Sequence, residues 1–259
     1  MQSDSSRRLL AKLSLQTQLQ QLCAPLSKQL PWSAVIRPST PLVLYRVKQT
    51  YPIVYRSPLL QQLRVDNIVT FAEQFLNQLP PHPHWQIQLT AQGRLEFQWR
   101  EEAIAPYLQA LRTINWKTDA EHQALPLLQL TTEQLQLQYC QGRCSSLLRL
   151  AQRDGWTVTE QPDWLSLAAE GDRTFFSVWL DCGDRLAMAS HPLQLQNLKL
   201  LLSLAQAWHI WYAQSQIWGI AKEQPPHLAQ ARLGIIYLTQ QLLSWSLQEM
   251  GGVTPWRSA

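Results

Sequence analysis

The sequence predicts an α+β N-terminal domain followed by an all-α helical bundle. Three observations carry this. Trp85-Gln86-Ile87-Gln88-Leu89 and Leu95-Glu96-Phe97-Gln98-Trp99 alternate apolar and polar residues. Joined by Thr90-Ala91-Gln92-Gly93-Arg94, they read as a hairpin with one buried face. After Thr132 alternation gives way to apolar residues spaced three and four apart, the helical period. Residues 115–130 between them are polar, hold Pro126 and read as a linker, which places the domains at 1–114 and 131–259.

The N-terminal elements follow in order. Leu9, Leu10, Leu13, Leu15, Leu19 and Leu22 lie among Gln and basic residues and predict an opening helix ended by Pro25. Prolines at 31, 38, 41, 52 and 58 cut the next stretch into short extended pieces. Leu42-Val43-Leu44-Tyr45 and Ile53-Val54-Tyr55 have strand composition there. Leu63, Ile68, Phe71, Phe75 and Leu79 return to helical spacing. The connector Pro80-Pro81-His82-Pro83-His84 brings two imidazoles together, but with no thiol or carboxylate beside them they are too few for a metal site. A short helix is expected over 101–111, after the hairpin.

In the second domain Thr131 or Thr132 caps a helix that carries Leu135, Tyr139, Cys140, Cys144, Leu147, Leu148 and Ala151 and runs to Gly155. Residues 156–186 are less periodic and predict shorter helices with irregular stretches. His191-Pro192 opens a long helix to about Trp218, and Leu228 to Met250 forms the last one, stopped by Gly251-Gly252. In that last helix Ala231, Ile235, Leu238, Leu242 and Trp245 form one apolar row, and Ile236, Leu243 and Leu247 a second. Two rows mean burial on two sides.

Composition narrows the function. The chain has 259 residues and a net charge of +4, with only 15% charged side chains. Its 34 glutamines are scattered, so the surface is built from amides more than from ion pairs. Between Met1 and Val65 the sole carboxylate is Asp4, against Arg7, Arg8, Lys12, Lys28, Arg37, Arg46, Lys48, Arg56 and Arg64. Such a segment attracts phosphates; the plain alternative is an uneven solvated surface. Cys23, Cys140, Cys144 and Cys182 lack metal-ligand spacing and are expected to pack as small hydrophobes. No apolar run is long enough to span a bilayer and no secretory leader is visible, so the expected location is cytoplasmic, with no membrane partner.

Two stretches resemble a known family. In Gln138-Tyr139-Cys140-Gln141-Gly142-Arg143-Cys144-Ser145-Ser146-Leu147-Leu148-Arg149, residues Gln138, Tyr139, Arg143, Ser146 and Leu148 fit the opening helix of the DALR anticodon-binding domain of arginyl-tRNA synthetases. Ala231-Arg232-Leu233, then Leu247, Gly251, Pro255 and Arg257 fit that domain's last helix and tail. Ala207-Trp208-His209-Ile210-Trp211-Tyr212 stands where the family has Ala-Phe-His-x-Phe-Tyr. The N-terminal part, with Gly93-Arg94-Leu95-Glu96-Phe97, resembles the family's N-terminal additional domain, whose matching strand has an aromatic and an Asn where Arg94 and Glu96 stand. In the synthetases the nucleotide-binding domain lies between these parts, where this chain has only residues 113–131.

The resemblance implies a tRNA partner, with the anticodon arm held by the second domain and the elbow by the first. For the anticodon arm the candidates are Tyr139, Arg143, Arg149 and Arg153 on the opening helix, with Trp256 and Arg257 in the tail. Guanidiniums suit phosphates, and an aromatic ring suits a splayed base. Arg143 has an alternative, an internal pair with Asp181 or Asp184. Arg94 and Phe97 are the elbow candidates. Leu201, Leu204, Trp208, Trp211 and Trp218 share one stripe and are read as core.

No catalytic residue is expected. The His-x-Gly-His-like and Lys-Met-Ser-Lys-Ser-like signatures of class I synthetases are absent, as are GxxxxGKS and GxGxxG loops, so no cofactor, metal or small-molecule substrate is implied. The expectation is a non-catalytic tRNA-binding protein. The alternatives are a protein-interaction scaffold of the same fold that no longer binds RNA, as Glu96 for Asn and Trp256 for Glu would fit, or an accessory subunit acting in trans with a separate synthetase.

Overall fold

The computed structural model describes residues 3–23, 43–47, 51–62, 68–78, 81–116, 131–188, 195–215 and 225–250. The chain divides into two compact units, residues 12–104 on one side and residues 1–11 with 105–259 on the other.

The first unit is α+β. Strands β1 (Tyr45–Arg46), β2 (Val54–Ser57), β3 (Trp85–Leu89) and β4 (Leu95–Trp99) form an antiparallel sheet in the order β1-β2-β4-β3. The predicted hairpin is β3–β4, paired from Trp85 opposite Trp99 to Leu89 opposite Leu95. Its turn closes through Gly93 N–H to the Thr90 carbonyl at 2.9 Å, and Gly93 sits at φ 72°, a conformation that favours glycine. One face of the sheet is apolar, with Tyr55, Leu95, Phe97 and Trp99 buried and the Trp85 ring edge-on to Tyr55 at 6.0 Å. The other carries a polar row, Tyr45–Arg56–Glu96–Gln88, each residue opposite the next.

The single predicted opening helix is in fact two, α1 (Ser3–Leu13) and α2 (Leu15–Cys23). Ser14 separates them. Its hydroxyl accepts from Thr17 N–H at 3.4 Å, as an N-cap does, while the Gln18 side chain donates to the Leu13 carbonyl at 3.1 Å. The next predicted helix gives α3 (Leu59–Gln62) and α4 (Ile68–Gln78).

The second unit is helical. It contains α1 as far as Ala11, α5 (Ile104–Arg112) from Ala105 onward, α6 (Thr132–Arg153), α7 (Glu170–Met188), α8 (Leu195–Ser215) and α9 (Pro226–Glu249). The division of the chain falls between Ile104 and Ala105, earlier than the expected boundary after residue 114. The reason is that α5 docks on the helices. Gln109 donates to the Glu160 carbonyl and Arg112 to the Thr159 carbonyl, Arg112 lies over the Tyr237 ring, and Trp116 packs edge-on against Trp245. In the cluster α6 packs on α9 and α8, and α8 packs on α7.

Local chemistry accounts for the long helices. Thr131 and Gln134 make a reciprocal capping box at the start of α6, with Gln134 N–H to the Thr131 hydroxyl at 3.2 Å and Thr131 N–H to the Gln134 amide at 3.0 Å. Pro226 occupies the first turn of α9, where its missing N–H costs no hydrogen bond. Both predicted apolar rows of α9 are buried. Helix α7 corrects the expectation of shorter pieces over 156–186. It is one 19-residue helix, preceded by a short 3-10 turn at Trp164–Ser166. Its Phe, Val and Trp residues have weak intrinsic helix preference, but Phe175, Trp179, Cys182 and Leu186 are buried along one side, and packing decides.

Candidate functional site

On the helical unit an exposed ledge of rings and cations runs along the junction of α6 and α8. Tyr139 on α6 lies 64% exposed and stacks on His209 of α8, centroids 5.9 Å apart and planes at 24°. One helical turn further along each helix, the Arg143 guanidinium sits 5.9 Å from the centre of the Tyr212 ring. A buried residue holds both pairs. Trp208 meets His209 edge-on at 5.0 Å and stacks flat on Tyr212 at 5.3 Å, with planes 2° apart. Fully buried itself, Trp208 fixes the exposed His209 and the half-buried Tyr212 that flank it.

A groove of about 780 Å³ continues the ledge towards the start of α6. Leu135, Gln136 and Tyr139 form one wall, and Leu202, Gln206 and His209 the other. Burial lowers the His209 pKa, so the ring is neutral at pH 7 and the charge of the ledge comes from Arg143.

The stripe of α8 that includes Trp208 is anchored from beneath. Trp211 donates from its indole N–H to Asp172 Oδ1 at 2.7 Å, and its ring stacks on Phe175 at 4.9 Å. Asp172 is held in turn by Arg232 of α9, whose Nη1 also donates to the Ser215 carbonyl at 2.7 Å. Leu201, Leu204, Trp208 and Trp211 are buried, so the core reading of that stripe holds, while Trp218 lies outside the described residues.

The candidate residues fare differently. Tyr139, Arg143, Arg149 and Arg153 are all exposed. At 3.6 residues per turn they fall within roughly 120° of the α6 surface. The suggested pairing of Arg143 with Asp181 or Asp184 is not formed: Asp181 pairs with Arg185 at 3.3 Å, and Arg143 lies on Tyr212. Arg149 donates to the Ser146 hydroxyl at 3.2 Å. Trp256 and Arg257 lie outside the described residues.

In the α+β unit Phe97 is a correction. It is wholly buried on the apolar face of the sheet and offers no ring to a partner. Arg94 is half-buried and donates to the Tyr45 hydroxyl at 3.2 Å. The negative charge of Glu96 is also spent internally, on Arg56 Nε at 2.8 Å and Gln88 Nε2 at 2.9 Å.

His82 and His84 pack ring edge to ring face at 5.4 Å, and no group of three metal-ligating side chains occurs among the described residues. Cys140, Cys144 and Cys182 are buried, as expected of small hydrophobes, and burial pushes the Cys144 and Cys182 thiols up. His209 and Tyr212 match the family in sequence but were not placed among the site residues. Their signal was present, since they are one turn apart beside Trp208, with Tyr212 at the edge of the leucine stripe and His209 further round towards the free side.

Compared with protein-family models, curated proteins and solved structures, the chain matches none.

Proposed function

We propose that this chain is a non-catalytic tRNA-binding protein related to arginyl-tRNA synthetases, and that its helical unit holds the anticodon arm. One observation carries the reading: Tyr139 and Arg143, two residues of the resemblance, meet His209 and Tyr212 of α8 on an exposed surface. Splayed bases of single-stranded loops stack on aromatic side chains for about 1–3 kcal/mol each. Arg143, Arg149 and Arg153 supply cations for the phosphates alongside. No signature in the sequence calls for ATP chemistry.

Total tRNA titrated against the full chain at several salt concentrations tests this. Saturable binding that weakens steeply with salt is expected, and Arg143→Ala should lower the affinity and flatten the salt slope by about one ion. No saturable binding at low salt would remove the proposal.

A second reading has its own support. Leu135 and Ile210, 43% and 54% exposed, border the groove and give it the apolar rim of a protein-docking surface. A scaffold of this kind would ignore tRNA and bind a protein. An accessory subunit of a split synthetase would instead restore activity when mixed with its catalytic polypeptide.

A further inference from the structure

The groove beyond the Tyr139–His209 stack differs from a plain apolar slot. Among the described residues, no Lys, Arg, Asp or Glu lines it beside His209, which suits an occupant that is uncharged within the groove. Leu135 and Leu202 supply apolar surface on opposite walls. Gln136 projects from α6 and Gln206 from α8, and neither amide makes a hydrogen bond among the described residues. Ser203 is different, because its hydroxyl is spent on the Lys199 carbonyl at 2.9 Å. Two free primary amides thus face one groove, each with donors and an acceptor. An aromatic pair closes the same groove, and a guanidinium lies one turn beyond it.

This combination matches one ligand chemistry: an uncharged planar ring with a donor–acceptor edge, joined to an anionic chain. Apolar side chains of a protein partner would use the leucines and leave both amides to water. We propose that Gln136 and Gln206 read the edge of an unpaired RNA base held in this groove against Tyr139, while the strand's phosphates pass along Arg143. The assignment rests on the tRNA-binding reading above and adds to it the residues that determine base specificity. Glutamine amides pair with base edges through two hydrogen bonds, and one good pair discriminates against the wrong base by roughly tenfold or more.

The test uses the full chain and labelled ten-nucleotide RNAs of A, C or U, with an abasic decamer of the same phosphate number, followed by fluorescence anisotropy. The wild type should prefer one base by about tenfold over the others and over the abasic strand. The double variant Gln136→Leu/Gln206→Leu should bind the abasic strand as before and lose the preference. Both side chains are exposed, and matching circular dichroism melts would establish that the variant folds.

Equal wild-type affinity for all four strands overturns the assignment, as does a preference that survives in the double variant. Total tRNA run in parallel separates the two failures. Saturable tRNA binding without base preference removes the reading of the base alone. No binding of tRNA or any decamer removes both and leaves the groove to a protein partner.

Discussion

Asp172 and Arg232 form a doubly bonded ion pair in the interior of the helical unit, Nε to Oδ1 at 3.2 Å and Nη2 to Oδ2 at 3.0 Å. Their side chains are 2% and 9% exposed, so the pair has left water almost entirely. Such a pair is tolerable only when its remaining polar atoms find partners, and here Trp211 and the Ser215 carbonyl provide them. The pair ties the start of α7 to α9 and, through Trp211, to α8 on the turn next to Trp208 and Tyr212. The ledge therefore depends on charges well beneath it.

Asp172→Asn keeps the shape of the side chain and strands the Arg232 charge in the core. Removing one partner of a buried pair costs about 3–5 kcal/mol. The urea midpoint should fall accordingly with little change in slope. Replacing both residues, as Asp172→Asn with Arg232→Met, should recover part of the loss because no uncompensated charge remains. If Asp172→Asn is as stable as the wild type, the pair is not what holds these helices in place.

Gly234 on α9 makes a second case in which context reverses a local rule. In an exposed helix interior Gly→Ala stabilises by about 1 kcal/mol. At this position a Cβ would lie 2.5 Å from Trp164 Cη2 and 2.8 Å from Cζ3. The ring is buried and cannot swing away freely, so Gly234→Ala should destabilise by roughly 1–3 kcal/mol through overpacking. Combining it with Trp164→Leu, which removes the colliding ring edge, should cost less than the sum of the two single changes. Thermal melts of the three variants measure this, and additive losses would exclude the clash as the cause.

These sites show where the sequence was legible. The β3–β4 hairpin and both rows of α9 could be read because alternation and three-four spacing report one-sided and two-sided burial directly. Ser14 was missed because its neighbours keep the leucine pattern running, and only a cap geometry reveals the break. Helix α7 was missed because aromatic and β-branched residues read weakly as helix until packing is known. The ledge was half legible: Tyr139 and Arg143 carry a spacing, but which residues of α8 face them is a tertiary fact. Phe97 was misassigned because the resemblance was followed against the alternation, which already puts Leu95, Phe97 and Trp99 on the covered apolar face. The Asp172–Arg232 partnership, 60 residues apart in sequence, left no local trace.

Tyr139 and Trp208 belong to one cluster of rings but should respond oppositely to truncation. Tyr139 is mostly exposed, so Tyr139→Ala should change stability by no more than about 0.5 kcal/mol while lowering tRNA affinity. Trp208 is fully buried, and Trp208→Ala should cost about 3–5 kcal/mol. Chemical denaturation beside tRNA titration gives both quantities. A large stability loss at Tyr139 would mean that its stack on His209 serves the fold and not a ligand.

Glu96 offers a pH signature for the α+β unit. Its hydrogen bond from Arg56 is the largest influence on its carboxyl, and with help from Gln88 it outweighs the opposing effect of burial and holds the pKa below the usual carboxylate value. A carboxyl with a depressed folded-state pKa stabilises the fold at every pH above its unfolded value, near 4.5. That contribution fades as the pH falls from there through the lower folded-state pKa, where both states are protonated. Glu96→Gln removes the charge at every pH and leaves Arg56 without its ion pair. The wild type should therefore melt above the variant at pH 7, and the gap should narrow only once the pH drops below the ordinary carboxylate range. Because the other carboxylates are common to both proteins, their titration cancels in the difference. A gap that stays constant down to strong acid would mean that the polar row across the sheet is held by shape and amide contacts, with the Arg56–Glu96 charge pair contributing nothing.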